Sequence, residues 1–310
     1  MKPFLRDYIW GGTKLMEKWG KTSPMSRIAE SWELSAFPKC ESIVASGKYR
    51  GFTILELQEI FPDLLGEKAD LFSVFPLLIK IIDATKDLSV QVHPNDEFAL
   101  INEHELGKTE MWYVAEADEG AAIYYGFNKD TTEEELRECI KTGTLTELLN
   151  RVEVAEGDTF FVPSGTVHAI LAGVTIIEVQ ESSSITYRLY DYGRKDANGR
   201  ERELHIEKAL QVIDKTHTKV PEQTREYDRY EEAGFAVRAL SSCEYFNVKE
   251  VEISGEYPIS HPTSFVAVTA VCGEGSFDNG YPITKGDTFL VPAGLNVTLS
   301  GNLKIIQTTL

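Results

Sequence analysis

The chain has 310 residues, 42% hydrophobic and 26% charged, and a formal net charge of -18; single cores stop growing near this length, so two domains are expected. No stretch approaches the ~20 apolar residues that cross a bilayer, and Arg6 and Asp7 stand where a leader peptide needs an apolar core. The acidic field repels polyanions, and no basic run of the kind nucleic-acid binders use is present, so neither a membrane nor a nucleic acid is an expected partner.

In chain order, Thr53 to Phe61 has a helical pattern and opens a helical insertion over about residues 53–72. Leu77 to Ile82 and Ser89 to His93 read as strands, with a loop or short helix over Pro94 to Leu106. Met111 to Ala115 and Ala121 to Gly126 follow as strands. Thr132-x-x-Glu135 and Thr144-x-x-Glu147 both fit capping boxes ahead of short helices, making a second insertion over about residues 131–150. Val174 to Gln180 and Ile185 to Tyr190 are further strands, and Ile206, Ala209, Leu210 and Ile213 recur at helical spacing. The charged stretch Asp214 to Glu232 has no apolar face and reads as a connection; beyond Phe235 the pattern is short strands throughout. The expected fold is mainly β. Cys40, Cys139, Cys243 and Cys272 are scattered without a CxxC pair, which fits reduced thiols and a cytoplasmic location.

A repeat runs through this pattern. Gly157-Asp-Thr-Phe-Phe-Val-Pro-Ser-Gly165 recurs as Gly286-Asp-Thr-Phe-Leu-Val-Pro-Ala-Gly294, identical at seven of nine positions and offset by 129 residues. Each copy reads as a Gly-Asp turn, an apolar strand and a Pro-x-Gly turn. Turn chemistry alone does not demand the shared Thr-Phe-x-Val, so a duplicated β-domain is expected.

In Ser89-Val-Gln-Val-His93, period-two alternation points Ser89, Gln91 and His93 to one face. Polar groups on an inward face need hydrogen-bond partners, a ligand or a metal; alone, His93 fits a structural role as well as a ligating one. Lys80 lies within the apolar run Leu77 to Ile82, either at an edge with its amine reaching water or against a counter-charge. Lys108 is a solvated loop lysine or a neighbour of Glu110 on the same strand face. Arg188 alternates with Ile185, Tyr187 and Leu189 and so points away from their apolar face, toward water or toward a site.

Gly157-x5-Pro163-x-Gly165-x2-His168 matches the spacing of the second metal motif of the cupin superfamily, and the chain resembles a cupin there. Gln91-x-His93-Pro, Lys108-x-Glu110-Met-Trp and Pro163-x-Gly-x2-His168, in this order, resemble the type I mannose-6-phosphate isomerases in their short bacterial form. Trp10-Gly-Gly, Glu30-Ser-Trp-Glu33, Pro76-Leu-Leu-Ile-Lys80 and Thr186-Tyr-Arg188-Leu-Tyr-Asp-Tyr-Gly193 extend the likeness over nearly the whole chain.

The resemblance implies two cupin-like jelly-roll β-barrels: a catalytic one over residues 1–216, and a linker with a metal-free one over 217–310. It implies Gln91, His93, Glu110 and His168 as ligands of one divalent metal per chain, with zinc the first choice. Such an N/O set also suits manganese, iron or cobalt. Lys80, Ser89, Trp10 and Glu30 are the implied substrate-binding residues, and Arg188 and Lys108 the catalytic ones. The implied activity is interconversion of mannose 6-phosphate and fructose 6-phosphate through an enediol. Lys108 and a hydroxide on the metal stand as alternative proton-transferring bases. The phosphorylated hexose is the expected partner, and the expected state is a monomer or weak homodimer. A cupin oxygenase would not need Lys80, Lys108 and Arg188, and a sugar-sensing regulator would bring a DNA-binding helical unit that this chain lacks. Aligning the repeats sets Val297 opposite His168, so the second half is expected to hold no metal.

Overall fold

The computed structural model describes residues 1–195, 199–223 and 229–310. Part of the predicted connection, residues 224–228, therefore lies outside the described residues. The chain divides into two compact units. One comprises Met1–Arg6, Thr13–Ile81 and Thr224–Leu310; the other comprises Asp7–Gly12 and Ile82–Gln223.

In the unit built around residues 82–223, two antiparallel sheets carry the fold. One orders the strands Tyr187–Tyr190, Val90–Val92, His168–Ile170, Ala122–Phe127 and Leu149–Glu153; the other sets Val174–Glu181, Glu110–Ala117 and Thr159–Val162 side by side. Val90, Val92, Phe127, Ala169, Tyr187 and Leu189 fall on the apolar face of the first sheet and pack with Leu136, Leu145, Ala209 and Leu210 of the covering helices. The strand Val174–Glu181 is buried along its full length, its polar residues Thr175, Glu178, Gln180 and Glu181 included.

The predicted helices fall where expected, with one exception, and a short unpredicted helix spans Lys14–Glu17. Ile54–Ile60, in the other unit, starts at a capping box in which Thr53 and Glu56 satisfy each other's backbone. Asp96–Asn102 fills the predicted Pro94 to Leu106 insertion, capped by Asn95. Glu133–Thr142 is capped by Thr132, and its end is set by Gly143 in the left-handed region. The segment after Thr144 is instead a single tight turn, Leu145–Leu148, and the Thr144 side chain caps nothing. Leaving Gly143, Thr144 has ψ 13, far from the extended backbone that lets an N-cap hydroxyl reach forward.

The other unit pairs Phe4–Arg6 with Glu30–Leu34. Its main sheet orders Arg229–Glu232, Phe235–Ser242, Asn247–Ile253, Val297–Thr309, Val266–Phe277 and Pro282–Thr284, with Glu256–Ile259 and Thr288–Val291 pairing onto the two long strands. Val251, Ile253, Val266, Val268, Leu299 and Ile305 make its core. The architecture is mainly β, as predicted, but closed barrels are not seen: among the described residues no pairing joins the first and last strand of either ordered sheet. Short strands and register shifts, as at Tyr124/Phe127 and Ala270/Cys272, bend the sheets without closing them.

The repeat is duplicated in three dimensions as well as in sequence. Gly157 and Gly286 both have φ 88, a conformation glycine reaches without a Cβ penalty. Gly157 N donates to Val114 O while Val114 N donates to Asp158 O; Gly286 N donates to Ala270 O while Ala270 N donates to Asp287 O. Val114 and Ala270 are therefore equivalent, and the pairings Glu110 with Val162 and Val266 with Val291 extend the equivalence along both strands.

Candidate active site

The Pro163-x-Gly165 turn feeds directly into His168, the first residue of its strand, where Gln91 pairs with it from one side and Tyr125 from the other. Glu110 begins its strand on the opposing sheet. The two sheets face each other across this point: Glu110 Oε1 lies 3.3 Å from His168 Nε2, and Glu110 Oε2 lies 3.8 Å from His93 Nε2. His93, Glu110 and His168 each offer one ligand atom within 4.8 Å of one another, and all three are buried.

Each imidazole is oriented for ligation. His93 Nδ1 is 2.7 Å from Ile185 O and His168 Nδ1 is 2.9 Å from Thr166 O; a ring that donates from Nδ1 to a carbonyl presents a lone pair at Nε2. Burial lowers the His168 pKa to about 4, which keeps the ring neutral as a metal ligand must be. Trp112 stands edge-on to the His168 ring at 5.3 Å. Gln91 Nε2 lies 3.4 Å from His168 Nε2, and the amide turned by 180° would present Oε1 there instead. Two neutral imidazole nitrogens, one carboxylate and an adjacent amide fit a divalent ion of the zinc type and leave it about +1 in formal charge.

Cations and acids flank this cluster. Lys108 Nζ lies 2.7 Å from Glu110 Oε2, 3.3 Å from His93 Nε2 and 3.8 Å from Glu178 Oε1, and its side chain is buried. Glu178 also accepts from Trp112 Nε1 at 3.2 Å. Arg188 pairs with Gln91 across the strands; its Nε donates to Ser89 Oγ at 3.2 Å and its Nη1 to Glu203 O at 2.8 Å. Burial, then the charge of Arg202, lowers the Arg188 guanidinium from its ordinary value without bringing it near neutrality.

Gln91, His93, Glu110, His168, Lys108, Ser89 and Arg188 thus come together in one unit. Trp10 belongs to the same unit, buried and stacked on Tyr8 at 5.4 Å, with its carbonyl accepting from Thr85. Lys80 and Glu30 belong to the other unit, as does Glu33. There Lys80 Nζ lies over the Trp32 ring at 5.3 Å, Glu30 accepts from Trp32 Nε1 at 2.6 Å, and Glu33 pairs with Lys21 at 2.6 Å.

Sequence reasoning missed Glu178 and Glu181, both buried on the strand Val174–Glu181. The available signal was Glu178 itself, set directly after Ile176-Ile177 and before Val179 on a strand. It also missed the Ile185 carbonyl, whose role has no side-chain signature.

A histidine delivered by a Gly-x5-Pro-x-Gly-x2-His turn onto one sheet, opposite a buried glutamate on another, defines a cupin-type enzyme with a candidate metal centre. Residues 1–123 match the catalytic domain of type I phosphomannose isomerase, and residues 237–310 match the mannose-6-phosphate isomerase cupin domain. The chain is 45% identical to mannose-6-phosphate isomerase ManA of Bacillus subtilis, covering 95% of this chain and 92% of that one. It is 41% identical to mannose-6-phosphate isomerase of Streptococcus mutans, covering 96% and 93%. The crystal structure of the Bacillus subtilis mannose 6-phosphate isomerase superposes with a TM-score of 0.91 at 36% identity, covering 99% of this chain and 97% of that one. The chain belongs to the type I mannose-6-phosphate isomerase family.

Proposed function

We propose that the chain interconverts mannose 6-phosphate and fructose 6-phosphate by a metal-dependent route through an enediol, with one divalent ion per chain, zinc first. The observation that carries this reading is the convergence of His93, Glu110 and His168, with Lys108 against Glu110, in a buried cluster. His93, Glu110 and His168 would hold the ion, with Gln91 as a fourth ligand. When bound, it supplies Lewis acidity toward the sugar oxygens.

Isomerisation removes the proton on C2 and returns it to C1, so the sugar undergoes no net oxidation. Lys108 is assigned the proton transfer: its amine reaches the cluster from a buried position between Glu110 and Glu178. Arg188 is assigned the charge that develops on the enediol oxygens, which a fixed guanidinium stabilises without reorganising. Ser89, which accepts from Arg188, is assigned a contact with a substrate oxygen, and Lys80, Trp10 and Glu30 keep the substrate-binding roles their motifs imply. The β-units are read as a pair of jelly rolls, catalytic within residues 1–216 and metal-free within 217–310. Among the described residues no helix is long and apolar enough to cross a membrane; we assign the enzyme to the cytoplasm as a monomer or weak homodimer.

The test is solvent-deuterium exchange into mannose 6-phosphate and fructose 6-phosphate, run on metal-stripped and metal-restored protein. Exchange at C2 of mannose 6-phosphate and C1 of fructose 6-phosphate that disappears and returns with metal is expected. Absence of exchange after restoration, or metal-dependent consumption of oxygen instead, would overturn the reading.

A further inference from the structure

Lys108 and Glu110 owe their places to a short backbone segment, and that segment is held from outside the cluster. Gly107 N donates to Asp96 Oδ1 at 2.7 Å, and Lys108 N donates to Pro94 O at 3.0 Å, both at the start of the helix Asp96–Asn102. The approach is close enough that a Cβ on Gly107 would meet Asn95 C and Asp96 N at 2.5 Å. From the other side Thr109 N donates to Glu181 Oε1 at 2.5 Å, and Glu181 N donates to Thr109 O at 3.1 Å.

Glu181 is 2% exposed, and the Asp96 carboxyl lies against its own. A protonated Glu181 can donate to the Asp96 carboxylate, whereas two ionised carboxyls in contact repel each other. Burial, with Asp96 adding to it, pushes Glu181 up to about 8. Asp96 is the charged group that faces it from the helix. Thr109 from the neighbouring strand, and Gln180 and Ser183 from its own stretch of chain, are neutral; the Lys108 amine turns to Glu110.

The stretch that begins at Glu181 continues to the other side of the cluster. Gln180 Nε2 donates to Glu181 O at 2.7 Å and Ser183 O at 2.8 Å, Ser183 Oγ donates to Leu106 O at 2.9 Å, and Ile185 O is the carbonyl that orients His93. Five residues, Glu181 to Ile185, therefore brace the Lys108 and Glu110 segment at one end and the His93 ring at the other.

We propose that the Glu181–Asp96 carboxyl pair is a positioning device for the isomerase reaction, fixing the Gly107 to Glu110 segment and with it the Lys108 amine and the Glu110 carboxylate. This role rests on the isomerisation proposed above. The pair is assigned no contact with substrate; it acts through the backbone it holds. Loss of the Glu181 proton sets two like charges against each other and loosens the segment.

The experiment measures kcat, KM for mannose 6-phosphate and bound metal from about pH 6 to 9 in wild type, Glu181→Gln and Glu181→Met. Methionine keeps the volume and loses both contacts; glutamine accepts from Thr109 N and donates to Asp96 without titrating. Glu181→Met is expected to lose about 10- to 100-fold in kcat, the range a misplaced catalytic group costs, with KM changed less than about threefold. Glu181→Gln is expected to restore kcat and to abolish a decline that wild type shows above about pH 8. Wild-type kcat in Glu181→Met, or superimposable pH profiles for wild type and Glu181→Gln, would overturn the proposal. Should Glu181→Met fail to fold, the two pH profiles decide alone. An inactive metal-loaded wild type would instead overturn the functional reading beneath it.

Discussion

Val297 opens its strand at the point of the duplicated turn where His168 opens its own, and Val266 stands where Glu110 stands. Both valines are buried in the apolar core of their unit. Two donor positions of the candidate metal centre are thus apolar in the second copy.

Metal analysis is therefore expected to give one tightly bound divalent ion per chain. His168→Ala and Glu110→Gln should each abolish stoichiometric binding, while Val297→Ala should leave the ion in place and lower Tm by opening a cavity. Elemental analysis after exhaustive dialysis checks this. A second equivalent of ion, or full loading of both ligand variants, contradicts it.

Arg188→Ala is expected to lower kcat by about 10²–10³-fold, the scale on which removal of one preorganised charge-stabilising donor acts. Metal content should be unchanged, since the guanidinium meets Ser89 and Glu203 and none of His93, Glu110 or His168. Steady-state kinetics beside elemental analysis distinguishes this from a surface arginine, whose loss would leave turnover near wild type.

Lys108→Ala separates the two candidate bases. With Lys108 as the base, metal-loaded Lys108→Ala should lose solvent exchange at C2 of mannose 6-phosphate by at least about 10²-fold, within the range for general acid–base catalysis. Exchange persisting at near wild-type rate assigns the proton to the metal's own water.

Asp191 predicts an acid limb in stability. Burial alone would raise its pKa, but hydrogen bonds from Arg202 and Arg194 outweigh burial and hold the carboxyl below its ordinary value. The unfolded chain then binds the extra proton first, so this contribution is complete above the ordinary carboxylate range and is lost as pH falls from about 4 through the folded value. Asp191→Asn should lower Tm at pH 7 and flatten its decline below pH 4. Parallel Tm curves for the two proteins would show that the arginine pairs add nothing.

Local chemistry was legible in the sequence. The turns around Gly157 and Gly286 need positive φ, the strands alternate or run apolar, and Thr53 and Thr132 sit ahead of their helices, all set by residues within a few positions of one another. The spacing of His168 from Pro163 likewise announces where a histidine is delivered. Thr144 fits the same local pattern as Thr132 and fails because its backbone is fixed by the preceding left-handed glycine.

What tertiary structure alone decided is which side chains meet. Glu110 and His168 are 58 residues apart in the chain and come within 3.3 Å because two sheets stack. Lys108 falls between Glu110 and Glu178 because the strands Glu110–Ala117 and Val174–Glu181 are paired neighbours in one sheet, and Glu181 reaches Asp96 because a helix inserted after His93 folds back on the strand behind it. Sheet closure was also decided there. Period and propensity specify that residues lie in strands and which face they present, whereas strand order, open edges and the pairing of buried charges depend on long-range contacts that no sequence window contains.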